Sequence, residues 1–397
     1  MAVNFLTAHS LAASSALACR EVCDRLEELA PAAAPSLLIV YFTQAHDAGV
    51  LRQALTGRYP HVRLIGCSSC HGVQTQSGYH SAHGWGLAVA ALFDEKGCYG
   101  VAGGLGEAVD MQALLHGAMA EAGRPGELPA MVLLHASPGR EEELLAAIEE
   151  EFGCRVPVVG GSAADDAIRG DWQLCWQGGE GREGVVLALL YPDCELAFQF
   201  HSGYLATARH GLVTACDGRE VLTIDGAPAA WVYANWRGLA PFPVGPILGQ
   251  STLAPLARQR GTLDGVPYYK LSHPEAVTAR GGLRLFTAIE PGERLILMHG
   301  SAEGLLARSL AAHIAPGYGG CDAVRPLGAL LIFCAGSRLA LGERIQGVGS
   351  LLEAQLGAIP FITPFTFGEQ GRLPHGELAH GNLMVSAVVL LGGADAS

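Results

Sequence analysis

The stretch that decides the fold runs from Gly328 to Leu391. It opens on an apolar run, Leu330-Leu331-Ile332-Phe333-Cys334, and turns at Ala335-Gly336-Ser337-Arg338. Ile345, Val348, Leu352 and Leu356 follow at helical spacing. A second run, Ile359-Pro360-Phe361-Ile362, leads into Thr366-Phe367-Gly368-Glu369. After a Gly/His-rich loop, a third run extends from Leu383 to Leu390. Short apolar runs bounded by turn residues predict buried strands, and the longer periodic segment predicts a helix.

The same pattern occurs twice earlier. Leu37 to Phe42, a helix carrying Leu51 and Leu55, Val62 to Ser68 and Leu87 to Leu92 form one copy. Met131 to Leu134, a helix carrying Leu144, Leu145 and Ile148, Val156 to Ser162 and Val185 to Leu190 form the other. The interval from Leu37 to Gly66 is 29 residues, as is that from Met131 to Gly160; the matching interval from Leu330 to Thr363 is 33. Repetition at this period is a fold-level signal. It predicts an α/β protein of mixed β-sheets covered by helices, built from three related β-α-β-β units. A Gly-Ser or Thr corner follows the second strand of each.

Bulk properties narrow the function. The 397 residues allow two or three domains with substantial cores. A net charge of −13 with no Lys/Arg-rich tract disfavours nucleic acid and anionic membrane as partners. The apolar runs are strand-length, which predicts no membrane insertion. Eleven scattered cysteines and an N-terminus without a basic leader point to reduced thiols and a cytoplasmic location. Ser10 to Leu29 has the spacing of an amphipathic helix.

Local motifs add candidates. Cys67-Ser68-Ser69-Cys70-His71 formally matches the C-x-x-C-H pattern of covalent haem attachment, but that chemistry ordinarily needs export. Ser137-Pro138 is a helix start, with Ser137 as cap, and Glu141, Glu142 and Glu143 suit the helix dipole. Gly160-Gly161-Ser162 is a backbone-lined corner without the lysine of a phosphate loop. Residues Glu195 to Ala234 turn to strands and turns. Leu283 to Phe286 and Arg294 to Met298, around Glu290-Pro291-Gly292-Glu293, predict a hairpin or meander, and a helix is expected over residues 301–313.

These residues carry a resemblance to a known family. Ile65-Gly66-Cys67-Ser68-Ser69, Val159-Gly160-Gly161-Ser162-Ala163, Leu222 to Ala229, Ile289 to Glu293, Cys334 to Arg338 and Phe365 to Glu369 resemble, in order and spacing, the FIST proteins. One departure is Cys70-His71-Gly72, where the family usually has Ala-Gly-Glu. Residues 1–35 are read as an N-terminal helical segment, and the resemblance implies a FIST N-terminal domain at 36–238 and a FIST C-terminal domain at 239–397. It also implies a sensory protein for signal transduction that binds a small ligand and regulates a separate signalling protein, such as a histidine kinase or a cyclic-di-GMP enzyme. One subset is similar to haem-binding nitric-oxide sensors and would carry haem b.

The candidate ligand-binding residues are those of the corners: Cys67, Ser68, Ser69, Gly161, Ser162, Cys334, Arg338, Thr366 and Glu369, with His380 at the start of the last strand. Strand-end corners on one rim are where α/β sheets place ligands. Arg338 and Glu369 would grip the two charges of an amino acid, or else pair with each other. His380 is the candidate metal ligand, as haem needs an axial donor. Cys67 or Cys334 beside a histidine would be the nucleophile of a Cys-dependent enzyme. No H-E-x-x-H or G-x-S-x-G pattern supports catalysis, so a non-enzymatic sensor is the expectation.

Overall fold

The computed structural model describes residues 3–30, 34–309 and 324–393. In the first unit the strands Leu37–Phe42 and Arg63–Ser68 run parallel, joined by the helix Ala48–Arg58, and Leu87–Phe93 returns antiparallel to the first. The second unit repeats this with Met131–Ala136, the helix Glu141–Phe152, Val158–Ser162 and Gly184–Tyr191. The third does so with Val324–Cys334, the helices Ala335–Leu341 and Gly347–Leu356, Phe361–Thr366 and Val385–Gly393. All six residues of Leu37–Phe42 and of Met131–Ala136 are buried, as continuous apolar strands must be when both sheet faces are covered.

Each unit has two additions. A flanking strand precedes it and pairs antiparallel with its last strand: Asn4–Ser10, Cys98–Leu105 and Glu195–His201. Asn4–Ser10 falls in the N-terminal segment expected to be helical; its own side chains alternate too weakly to mark a strand, and pairing with Leu87–Phe93 decides it. The helix there is Ser15–Leu29, capped by Ser14. Second, the loop after each second strand holds a hairpin that leaves its own unit. Residues 73–80 pair with Phe361–Thr366 of the third unit, residues 174–181 with Arg63–Ser68 of the first, and residues 369–381 with Val158–Ser162 of the second. The exchange is cyclic, so every six-stranded sheet is completed by a neighbour.

The inner faces of the three sheets meet in a shared core that includes Ile39, Cys67, Leu133, Val186, Ile332 and Val388. Helices cover the outer faces of the first two sheets. The outer face of the third is covered by its own helices and by an inserted unit, which contributes Ala257, Leu271 and Met298. That unit is a nine-stranded antiparallel sheet running from Leu205 to His299, with the helix Ala229–Trp236 packed on it.

Two local expectations differ from the structure, and a third is met as far as the described residues reach. Ser137 does not cap the second unit's helix, which begins at Glu141; its hydroxyl donates to the Gly184 carbonyl and accepts from the Gly184 amide. Leu283–Leu285 and Arg294–His299 do not pair with each other; they pair instead with Glu220–Ile224 and Leu205–Asp217 respectively. The helix expected over 301–313 is seen as Ala302–Ser309, and residues 310–313 lie outside the described residues. No helix among the described residues is long and apolar enough to cross a membrane.

Candidate functional site

The three corners interlock through their backbones. Ala164 N donates to Ser68 O at 3.0 Å, Phe367 N to Ser162 O at 3.1 Å and Cys70 N to Phe365 O at 2.9 Å. Ser162 N donates to Gly368 O at 2.9 Å, and Ser69 Oγ accepts from Phe365 N at 2.8 Å. Each unit thus hydrogen-bonds to both others where its second strand ends. The corners fill one another's space, and the void lies to one side of them, beneath the inserted unit.

This void is a cleft of about 420 Å³. Cys70, Asp166, Cys334 and Thr366 bring it residues from all three corners; Leu248, Leu253, His273 and Phe286 close it from the inserted unit. Leu339, Phe367 and Ile168 add to walls that are mostly apolar. A mostly apolar pocket with a few convergent polar groups is the usual form of a small-molecule site.

One lip of the cleft is wound around a carboxylate. Buried Asp165 accepts hydrogen bonds from the backbone N–H groups of Ala167, Arg169 and Asp171 at 2.8–2.9 Å, and from that of Ile168. Burial works against ionisation of Asp165, but these donors outweigh it and hold its pKa below the ordinary carboxylate value. The winding puts Ile168 at φ 53°, a conformation costly for a β-branched residue, and sets its side chain at the mouth. His71 at φ 62° and Leu383 at φ 58° each directly follow a residue that lines the cleft, Cys70 and Asn382. Strain of this kind gathers where surrounding structure over-determines a functional geometry.

The residues singled out from the sequence divide in two. Cys334 and Thr366 line the cleft. Cys67 faces the inner core instead, wholly buried, while Cys70 faces the cleft, so the two sulfurs of the C-x-x-C-H pattern turn to different surroundings. Ser68 Oγ accepts from Gln173 N at 2.8 Å, and Ser69 Oγ donates to Gly72 O. Gly161 O accepts from His135 Nδ1 at 2.9 Å. Ser162 Oγ donates to Glu141 Oε1 at 2.7 Å and accepts from Gln370 Nε2 at 3.1 Å. These four corner residues join neighbouring strands rather than present free groups to a ligand.

Arg338 and Glu369 do not meet. Arg338 stacks over the Tyr79 ring, 5.0 Å from its centroid, and donates to Tyr79 Oη at 2.9 Å. Glu369 begins the exported hairpin, which carries it away from the rim. It is fully buried, accepting from Thr366 Oγ1 and Met384 N, each at 3.0 Å, next to the Cys334 thiol. Burial pushes the Glu369 carboxyl well above its ordinary pKa, despite the donors around it, and so works against its charged form. Burial, reinforced by Glu369, likewise raises the Cys334 thiol, and Cys67 is raised by burial and then by Cys175.

His380 lies outside the cleft. Its Nδ1 takes a hydrogen bond from Gln370 Nε2 at 2.9 Å, and its Nε2, 3.8 Å from Glu141 Oε1, has no hydrogen-bond partner. The space bordering it is lined by Glu142, Glu149, Lys270 and Glu377. A charged recess with a carboxylate in front of the free nitrogen does not fit haem, which needs an apolar slot and an open axial donor. In the cleft, His273 is no better placed, since its Nε2 is 3.3 Å from Thr252 Oγ1.

Cys70, Asp166, His273 and Asn382 escaped the sequence reading. Asn382 ties the third unit to the inserted one: its Oδ1 accepts from His273 N and its Nδ2 donates to Phe367 O. The available signals were the departure at Cys70-His71 and the paired aspartates after the second corner.

The comparisons with known proteins follow the same division of the chain. The model of the FIST N domain family matches residues 36–227, and that of the FIST C domain family residues 229–372. No curated protein matches. Among solved structures, a cyanuric acid hydrolase from A. caulinodans aligns over 98% of this chain and 99% of its own, at 10% identity and a TM-score of 0.36. FIST domains are small-ligand-sensing domains of signalling proteins. With two adjoining FIST matches covering most of its length, the chain belongs to the FIST family.

Proposed function

We propose that this protein is a sensor whose ligand sits in the cleft between the three corners and the inserted unit, and that occupancy is passed to a separate signalling protein. The observation that carries this is the composition of the wall. Corner residues of the FIST N match, Cys70 and Asp166, face Leu248 and Phe286 of the FIST C match across one cavity. A ligand there touches both regions and biases how they pack, which is the differential contact a switch requires. The chemistry favours a compact, largely apolar molecule with a hydrogen-bonding group directed at Asp166, His273 or Asn382.

An amino acid gripped between Arg338 and Glu369 has less support, because those groups are separated and burial disfavours the charged form of Glu369. A haem-based nitric-oxide sensor would need an axial site other than His380. A non-enzymatic role is supported by the raised thiols of Cys67 and Cys334, since the thiolate is the nucleophile. A histidine kinase or a cyclic-di-GMP enzyme is the class of receiver that the family resemblance implies.

The test is a thermal-shift screen of the full chain against small metabolites, repeated on Leu253→Trp, which fills the cleft. A ligand at a hundred times its Kd should stabilise the wild type by about 2.7 kcal/mol and leave Leu253→Trp unmoved. Equal shifts in both proteins would place binding elsewhere. A Soret band in the purified protein would favour haem over this reading.

A further inference from the structure

Cys70, His71 and Asp166 come together at the cleft although 95 residues separate His71 from Asp166. The Cys70 Sγ, a ring nitrogen of His71 and a carboxylate oxygen of Asp166 all lie within 4.8 Å of one another. Ordinary zinc–ligand lengths in a tetrahedron set donor atoms roughly 3.3–3.6 Å apart. His71 Nδ1 and Asp166 Oδ1 are 3.6 Å apart. We propose that these three side chains form a binding site for a four-coordinate transition-metal dication of the zinc class, with its fourth position open to the cleft. This goes beyond the ligand reading and does not depend on it.

The backbone is built to present these groups. His71 is held at φ 62° by two hydrogen bonds: its N–H donates to Asp166 Oδ1 at 2.5 Å, and its carbonyl accepts from Tyr79 Oη at 2.6 Å. Cys70 N is fixed on Phe365 O. Asp166 N donates to Gln44 Oε1 at 2.9 Å, and neighbouring Asp165 is spent on its own loop, leaving Asp166 as the available carboxylate. The donor set of thiolate, imidazole and carboxylate suits a borderline-soft dication, and three protein ligands with one open position is the pattern of a site that can take a further ligand. Arg338 is a cation acting on Cys70, and it is held on Tyr79. Burial, then Asp166, keeps the Cys70 thiol protonated without metal, so coordination must release that proton and affinity must fall with falling pH.

The experiment uses the reduced full-length protein stripped of metal and titrated with Co²⁺ alone, then with Zn²⁺. The expected result is one Co²⁺ bound per chain, a thiolate-to-metal charge-transfer band, intense tetrahedral visible bands, and displacement by Zn²⁺. Cys70→Ser should abolish the charge-transfer band. His71→Ala, at a partly exposed position, and Asp166→Asn should each weaken binding by at least ~10-fold with circular dichroism unchanged. Cys154→Ser, which removes an exposed thiol elsewhere, should change nothing. Absence of the band in folded wild-type protein would overturn the proposal, as would a band that survives Cys70→Ser or depends on Cys154.

Discussion

Glu369 is where a residue's identity and its behaviour diverge most. A sequence presents it as an anion after a strand. The fold seals it beside Cys334, where burial disfavours its charged form. Its folded pKa is raised above the ordinary 4.5, so the folded state keeps a proton that the unfolded chain gives up. The stability this contributes is complete below about pH 4.5 and is lost as pH rises from there towards the folded pKa, at about 1.4 kcal/mol per pH unit. Glu369→Gln keeps the shape and lets the Thr366 hydroxyl turn to accept. Urea midpoints between about pH 5 and 8 should therefore fall less steeply in the variant. Parallel curves would show that Glu369 is ionised in the folded protein. Among individual residues, Cys334 and Thr366 were legible as pocket residues because both end apolar strands. Cys70, Asp166, His273 and Asn382 were not, because their neighbours are remote in sequence and no local pattern encodes them.

At the scale of elements, the strand–helix–strand units were legible because their periodicity is local. The hairpins were not: residues 73–80 are short and mostly polar and residues 369–381 are Gly- and His-rich, with no internal signal for the strand they join. Gln74 pairs with both Tyr79 and Thr363, at the join between the first unit's hairpin and the third unit's sheet. Proline at this position cannot take part fully in the ladder. Gln74→Pro should speed hydrogen exchange across Phe361–Thr366, far away in sequence, while leaving Met131–Ala136 protected. Unchanged exchange in Phe361–Thr366 would mean that the hairpin adds nothing to that sheet. The parallel pairing is equally demanding. A Cβ on Gly66 would clash with the Val40 carbonyl oxygen, and one on Gly160 would lie 2.6 Å from that of Leu134. Gly66→Ala should cost about 1–3 kcal/mol in chemical denaturation, as overpacking does; a neutral result would require the two strands to separate freely.

For the whole molecule, the cyclic exchange means that no unit is complete alone. A fragment ending at His201 would leave the hairpin of residues 73–80 without the third unit's sheet, and would bare the edge of Val158–Ser162 that residues 369–372 cover. Exposed edges pair with other chains. The fragment should aggregate or self-associate in size-exclusion chromatography, and a stable monomer with native-like circular dichroism would contradict this. The amino-acid sequence by itself determined the three β-α-β-β units, the α/β class and the small-residue corners, since alternation and helical spacing act over neighbouring residues. Only the tertiary structure decided which sheet each hairpin completes, that Glu369 is sealed away from Arg338, and that Cys70, His71 and Asp166 cluster together. Those outcomes depend on contacts between residues tens to hundreds of positions apart, chosen by the joint burial of three sheets in one core.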